Sequence, residues 1–157
     1  MVGPPSRPTS SCIQPVQVNL RRLDPEALPP RPARDGDAGH DLGTRIDFVL
    51  QPGERAALPT GVALEIPPGH AGLVLPRSGQ ARRFGLSLVN GPGLIDPGYR
   101  GEVEVLLINH GSEPVVFHKG DRIAQLVIVA VPVVEFREVD TLGESERGEG
   151  GFGSTGV

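Results

Sequence analysis

The residues best suited to chemistry lie in four short segments and a glycine-rich tail. The first, Asn90-Gly91-Pro92-Gly93-Leu94-Ile95-Asp96-Pro97-Gly98-Tyr99-Arg100-Gly101, is a hairpin much longer than a simple reversal needs, since two residues can join antiparallel strands. Its extra length supplies edge N–H and C=O groups for reading a base, an Asn90 amide that both donates and accepts, and the Asp96 carboxylate beside the Tyr99 ring. A long hairpin with Asp96 as a turn residue is the structural alternative; it leaves Asn90 and Tyr99 without a role. The second, Pro76-Arg77-Ser78-Gly79, joins a strand to a short helix and puts N–H groups, a hydroxyl and a guanidinium where oriented donors favour an anion. Here the alternative is an ordinary serine cap with a solvated arginine.

Asp37-Ala38-Gly39-His40-Asp41-Leu42 contributes two carboxylates and an imidazole, compatible with metal binding but more commonly a polar loop. His70, His110 and His118 lack ligand spacing, which argues against zinc. Gly120-Asp121-Arg122-Ile123-Ala124-Gln125-Leu126 sets a turn directly ahead of an apolar strand. In the tail, Arg147 to Gly156 combines five glycines in ten residues with Arg147, Phe152, Ser154 and Thr155. An arginine and approachable N–H and hydroxyl groups suit phosphate, and an isolated phenylalanine suits a flat ring. Alone, the same composition also describes a solvated linker.

The elements that must position these groups are strands. The chain has 157 residues with 22 Gly and 17 Pro, a length that suggests one domain. The Gly and Pro punctuate short alternating or apolar runs: Val16–Leu20, Val62–Ile66, Leu73–Leu75, Leu86–Val89, Glu102–Val105, Leu126–Val131 and Val133–Val139. Period-two runs with regular turn signals predict an all-β sandwich or barrel. Pro25 to Arg34 is predicted as loop, Ser78 to Phe84 as a short helix, and Pro132 as a hinge that permits strand exchange between subunits. The predicted organisation is a disordered leader over 1–13, a β-rich core over 14–140 and a flexible C-terminal arm over 141–157.

A formal net charge of −4 argues against a nonspecific grip on nucleic acid or anionic membrane, so any phosphate site must be local. The single cysteine, Cys12, cannot support an internal disulfide framework and fits a reducing compartment. The N-terminal residues lack the apolar core of a signal peptide, and no apolar run approaches a membrane span. A cytoplasmic location is expected.

Taken in order, the five segments resemble the five motifs of the trimeric dUTPase family across about residues 35–156. The resemblance implies a distorted jelly roll, β-barrel-like, with one short helix, assembled as a homotrimer with three sites at subunit junctions. It implies hydrolysis of dUTP to dUMP and pyrophosphate with Mg²⁺. Carried over by position, Asp96 is the acid that orients and deprotonates the attacking water, and Tyr99 packs beneath deoxyribose. Asn90, Gly93, Leu94, Ile95 and Glu104 match the segment that reads uracil, with the Glu104 side chain expected to point away from the base. Arg77, Ser78 and Gly79 match the triphosphate turn; Asp41 and Gln125 are implied behind the metal's waters, with no direct protein ligand. Arg147, Phe152, Gly153, Ser154 and Thr155 match the closing arm, Phe152 over uracil. The chain departs in having His40 where many members carry tyrosine or an apolar residue, and Thr141–Glu146 matches nothing specific.

Two other readings remain open on sequence. A dCTP deaminase of the same fold shares the Arg-Ser turn and the Ile-Asp-Pro-Gly hairpin, but needs a glutamate base where this chain has Leu106. A non-catalytic nucleotide-binding trimer would have no use for the water-orienting acid or for the arm.

Overall fold

The computed structural model describes residues 15–150. In chain order its elements are β1 (Asn19–Arg22), β2 (Arg31–Pro32), β3 (His40–Gly43), β4 (Phe48–Leu50), β5 (Arg55–Glu65), β6 (His70–Leu75), α1 (Ser78–Phe84), β7 (Leu86–Leu88), β8 (Gly93–Ile95), β9 (Glu102–Asn109), β10 (Val115–Phe117) and β11 (Arg122–Ala130). They form a four-stranded sheet in the order β1-β5-β9-β7, a five-stranded sheet β2-β3-β11-β6-β8, and the pair β10-β4. All pairings are antiparallel. The architecture is the expected all-β distorted jelly roll with one short helix. Among the described residues no helix is long and apolar enough to cross a membrane.

Alternation builds the core. Along β9, Val103, Val105 and Leu107 point inward and are buried, while Glu102, Glu104 and Leu106 take the other face. They meet Leu58, Val62 and Leu64 of β5 and, from the second sheet, Leu42, Ile123 and Leu126. Each such side chain contributes about 1.5–3 kcal/mol on burial, set against the ordering entropy of many short, glycine-rich connections.

Two irregularities shape the site. The β5–β9 register shifts between Pro59 and Ala63, where Gly61 takes φ +75° and a Cβ would come within 2.7 Å of Ala27 Cβ. Glu102 fixes this bulge, its Oε1 accepting from Gly61 N at 2.7 Å and Arg45 Nε at 2.9 Å. The β11–β3 register shifts between Arg122 and Ala124, and the Arg122 carbonyl, released from the regular ladder, accepts side-chain donors instead.

The polar anchor of the core is Asn109, fully buried at the end of β9. Its Nδ2 donates to Leu50 O at 3.1 Å and Glu113 O at 2.9 Å, and its Oδ1 accepts from Gly111 N at 2.8 Å. Asn109→Leu leaves these buried groups without partners and is expected to destabilise the fold by about 2–4 kcal/mol. The measurement is the urea midpoint at fixed protein concentration; an unchanged midpoint would contradict the anchor.

Several sequence expectations need correction. The strand expected from Val16 begins at Asn19, and Pro25–Arg34 is not wholly loop, because Arg31–Pro32 pair with Asp41 and His40. The Asp37–Leu42 segment, read as a loop, ends in a strand flanked on both sides, and Leu42 is buried; pairing and burial override its polar composition. Val133–Val139 is not a strand, and Val133 and Phe136 are 99% and 95% exposed. A strand is defined by its ladder, and past Pro132 this segment finds no edge to pair with among the described residues.

Candidate active site

The candidate residues gather in two clefts that share no lining residue. One, of about 530 Å³, is lined by Asp37, Gly39, Asp41, Arg77, Ser78, Gly79, Gln80, Arg83, Phe84 and Gln125 among others. The other, of about 260 Å³, is lined by Asn90, Gly93, Leu94, Ile95, Asp96, Tyr99, Glu104 and Leu106 among others. Four of the five sequence segments thus fall into two groups.

The first cleft is built where β6 runs out into α1. Arg77 is the residue ahead of the helix, in extended conformation with φ −87° and ψ 123°, and no side-chain cap bond is made. The serine-cap alternative is therefore not adopted: Ser78 is the first helical residue. Gln80 N and Ala81 N donate to Arg77 O at 3.0 Å, which leaves Ser78 and Gly79 as the residues whose N–H groups precede the helical bonds, and a Cβ at Gly79 would meet nothing within 4 Å. The chain's own packing does not demand glycine there, and its backbone is open to a close approach from outside.

Asp41 organises the cations. Its Oδ1 accepts from Arg77 Nε at 2.9 Å and its Oδ2 from Arg122 Nη1 at 3.1 Å, with the Asp41 side chain 13% exposed. Arg122 O in turn accepts from Gln80 Nε2 at 2.7 Å and Arg77 Nη1 at 3.4 Å. Two guanidinium groups on one carboxylate leave a net positive charge, and Arg77 is held through its inner nitrogen so that its outer edge can serve an anion. Gln125 lies opposite Asp41 in the β11–β3 register and opposite Leu75 in β11–β6. Its Nε2 donates to Pro76 O at 3.0 Å, tying the strand to the turn that carries Arg77. Glycine at position 39 makes room for this, since a Cβ would sit 2.4 Å from Gln125 Oε1.

The second cleft is made by the hairpin. β8 pairs with β6 through Gly93↔Val74, Leu94↔Leu73 and Ile95↔Gly72, which buries Gly93 and Ile95 and turns Leu94 outward. A Cβ at Gly93 would lie 3.1 Å from Asn90 Nδ2, so the amide rests against bare backbone. Tyr99 N donates to Asp96 O at 3.1 Å, closing the turn that presents the exposed Asp96 carboxylate. Tyr99 Oη donates to Glu102 O at 2.8 Å, and its ring occupies the space a side chain at Gly101 would need, 2.4 Å from the hydroxyl. Arg100 braces the turn from behind: Nη1 donates to Pro97 O at 2.5 Å and Tyr99 O at 2.9 Å, and Nη2 reaches Glu65 Oε1 at 3.2 Å. The Asn19 amide bond, together with Arg100, holds the Glu65 carboxyl below the usual carboxylate range. Glu104 shares the outward face of β9 with Leu106, opposite the buried Val103 and Val105.

Of the fifth segment only residues 147–150 belong to the described residues, and they line neither cleft. Arg147 Nε donates to Gly150 O at 2.8 Å within a local turn, and Phe152, Gly153, Ser154 and Thr155 lie outside the described residues. Sequence reasoning missed Arg122 and Gln80. Both stand in segments it singled out, but their roles depend on a bulge and on strand order. Among the described residues no group of three His, Cys, Asp or Glu side chains gathers to hold a metal.

Comparison with known proteins gives a consistent result. The family model described as dUTPase matches residues 26–156. The deoxyuridine 5'-triphosphate nucleotidohydrolase of Anaeromyxobacter sp. (strain Fw109-5) is 57% identical over 145 residues, covering 90% of this chain and 99% of that protein. Among solved structures, a variant of the Staphylococcus bacteriophage 80alpha dUTPase with dUpNHpp matches at a TM-score of 0.81 and 32% identity, covering 90% of this chain and 99% of that one. A variant dUTPase from phage phi11 of S. aureus, described as revealing the coordination of a structural Mg(II) ion, matches at a TM-score of 0.74 and 28% identity, covering 80% and 97%.

Proposed function

Because the chain belongs to the dUTPase family, we propose that it is a dUTP diphosphatase, hydrolysing dUTP to dUMP and pyrophosphate. The observation that carries this reading is the hairpin cleft, where Asn90, the β8 backbone, Asp96 and Tyr99 line one small cavity. Among the described residues its lining holds no cationic side chain that could take a triphosphate. The cationic cleft around Arg77 supplies what the hairpin lacks.

In the reaction, uracil lies against the Gly93–Ile95 edge and the Asn90 amide, and the sugar lies on Tyr99. A backbone edge discriminates strongly, because a base with the wrong donor pattern leaves buried polar groups unpaired. Asp96 accepts a proton from water as its oxygen bonds to the α-phosphorus, and the bond to the bridging oxygen breaks. Arg77 and the N–H groups of Ser78 and Gly79 take up charge on the departing pyrophosphate. Both Asp41 oxygens are already held by guanidinium groups, so this donor set fits a magnesium ion carried by the triphosphate and its waters, with Asp41 and Gln125 behind those waters. When bound, the ion offsets phosphate charge.

The separation of the two clefts favours a homotrimer in which the hairpin of one subunit faces the Arg77 cleft of another, with the arm of residues 141–157 closing from a neighbour. In a cytoplasmic setting the activity would limit uracil entering DNA and supply dUMP for thymidylate synthesis. No membrane or nucleic-acid partner is part of this reading.

The test is to supply dUTP, dCTP, dTTP and UTP with Mg²⁺ and to follow pyrophosphate and ammonia separately. Pyrophosphate from dUTP alone is expected. Ammonia from dCTP would establish a deaminase, against which stands Leu106, an apolar wall residue unable to carry a proton. No release from any substrate would favour a binding protein.

A further inference from the structure

The last turn of α1 carries two adjacent arginines, Arg82 and Arg83, of which only Arg83 lines the cationic cleft. We infer that Arg83 is a further substrate-binding residue, which takes the phosphate groups distal to the reacting one and so favours a triphosphate over a monophosphate. The inference rests on the activity proposed above and adds a determinant to it.

Charge in the cleft motivates the assignment. Arg77 is matched by Asp41, which also holds Arg122, and Asp37 adds a second carboxylate to the lining, its Oδ2 accepting from Arg34 N at 3.0 Å. Counting Asp37 with Asp41 against Arg77 and Arg122, this cluster meets a highly anionic ligand with little net charge to spare. Arg83 makes no ion pair among the described residues. Its guanidinium carbon lies 5.1 Å from the centroid of the Phe84 ring. A cation–π contact of this kind uses none of the guanidinium N–H donors in a hydrogen bond, so they are left for an anion.

Position fits as well. Gly79 and Arg83 are four residues apart and share a helix face, and the rise from Ser78 to Arg83 is about 7.5 Å at 1.5 Å per residue. That is the scale of a polyphosphate chain laid along α1, with its near end at the helix start beside Arg77.

The experiment measures dissociation constants of dUpNHpp and dUMP with Mg²⁺ by calorimetry, alongside dUTP turnover. Arg83→Ala is expected to weaken dUpNHpp by about 10-fold, the scale of one charge-assisted hydrogen bond, with dUMP unchanged and with partial recovery in Arg83→Lys. Arg82→Ala removes the same charge from the same turn without touching the cleft and is expected to leave both ligands unaffected. Alanine is a good helix former and the site is exposed, so folding should survive either change. Equal losses from Arg82→Ala and Arg83→Ala, equal losses for dUMP and dUpNHpp, or no loss in Arg83→Ala would each overturn the inference. If the parent turns over dUTP and Arg83→Ala is neutral, only this inference falls; a parent that ignores dUTP removes the proposed function as well.

Discussion

Asp96→Asn is expected to lower kcat for dUTP by about 10²–10⁴-fold, the usual contribution of a positioned general base, while KM changes far less. The amide is close in size to the carboxylate and can keep the turn closed by Tyr99 N and Asp96 O, a bond made by main-chain atoms. What it cannot do is accept the water's proton. A loss confined to kcat marks an interaction made chiefly in the transition state. Initial rates of pyrophosphate release over a range of dUTP concentrations give both constants. Turnover by the variant as fast as the parent's would remove Asp96 from the mechanism, and a matching collapse in thermal stability would assign it a structural role instead.

A chain ending at Arg147 should retain its assembled mass but lose turnover by about 10²-fold or more, as expected when closure completes a site. The core supports this separation of roles. Among the described residues, none lining either cleft lies beyond Gln125, and the hydrophobic cluster reaches Leu126, with Ile128 packed against it. The removed segment includes Phe152, Ser154 and Thr155, whose side chains suit a base and a terminal phosphate. Sedimentation reports the assembly and pyrophosphate release the activity. Dissociation of the truncated protein would show that the arm serves assembly, and full activity would show that it does not close the site at all.

The local pieces of this protein were legible where short-range chemistry decides them. Pro76 ahead of Arg77 and Gly85 beyond Phe84 bracket the helix, and Gly85 does adopt the left-handed conformation with φ 69°. The hairpin could be read because Asp96-Pro97-Gly98 is turn chemistry with side chains left over. β3 was hidden because His40-Asp41 are polar, and only the strands on either side and the buried Leu42 make that segment part of a sheet. Val133–Val139 failed in the opposite way: its pattern suits a strand, but it pairs with no strand among the described residues.

Residue types and their order were enough to mark the candidate groups: a carboxylate and an aromatic ring in one turn, and a guanidinium beside a helix start. Those properties belong to side chains and to backbone within a few residues, so one-dimensional spacing preserves them. Only the tertiary structure decided that Asp41, Arg77 and Arg122 share one charge cluster, drawn from three separate stretches of chain. It alone placed the hairpin and the cationic cleft apart. Both outcomes follow from strand order and a bulge, which depend on which surfaces bury together, and that energy is summed over contacts distant in sequence.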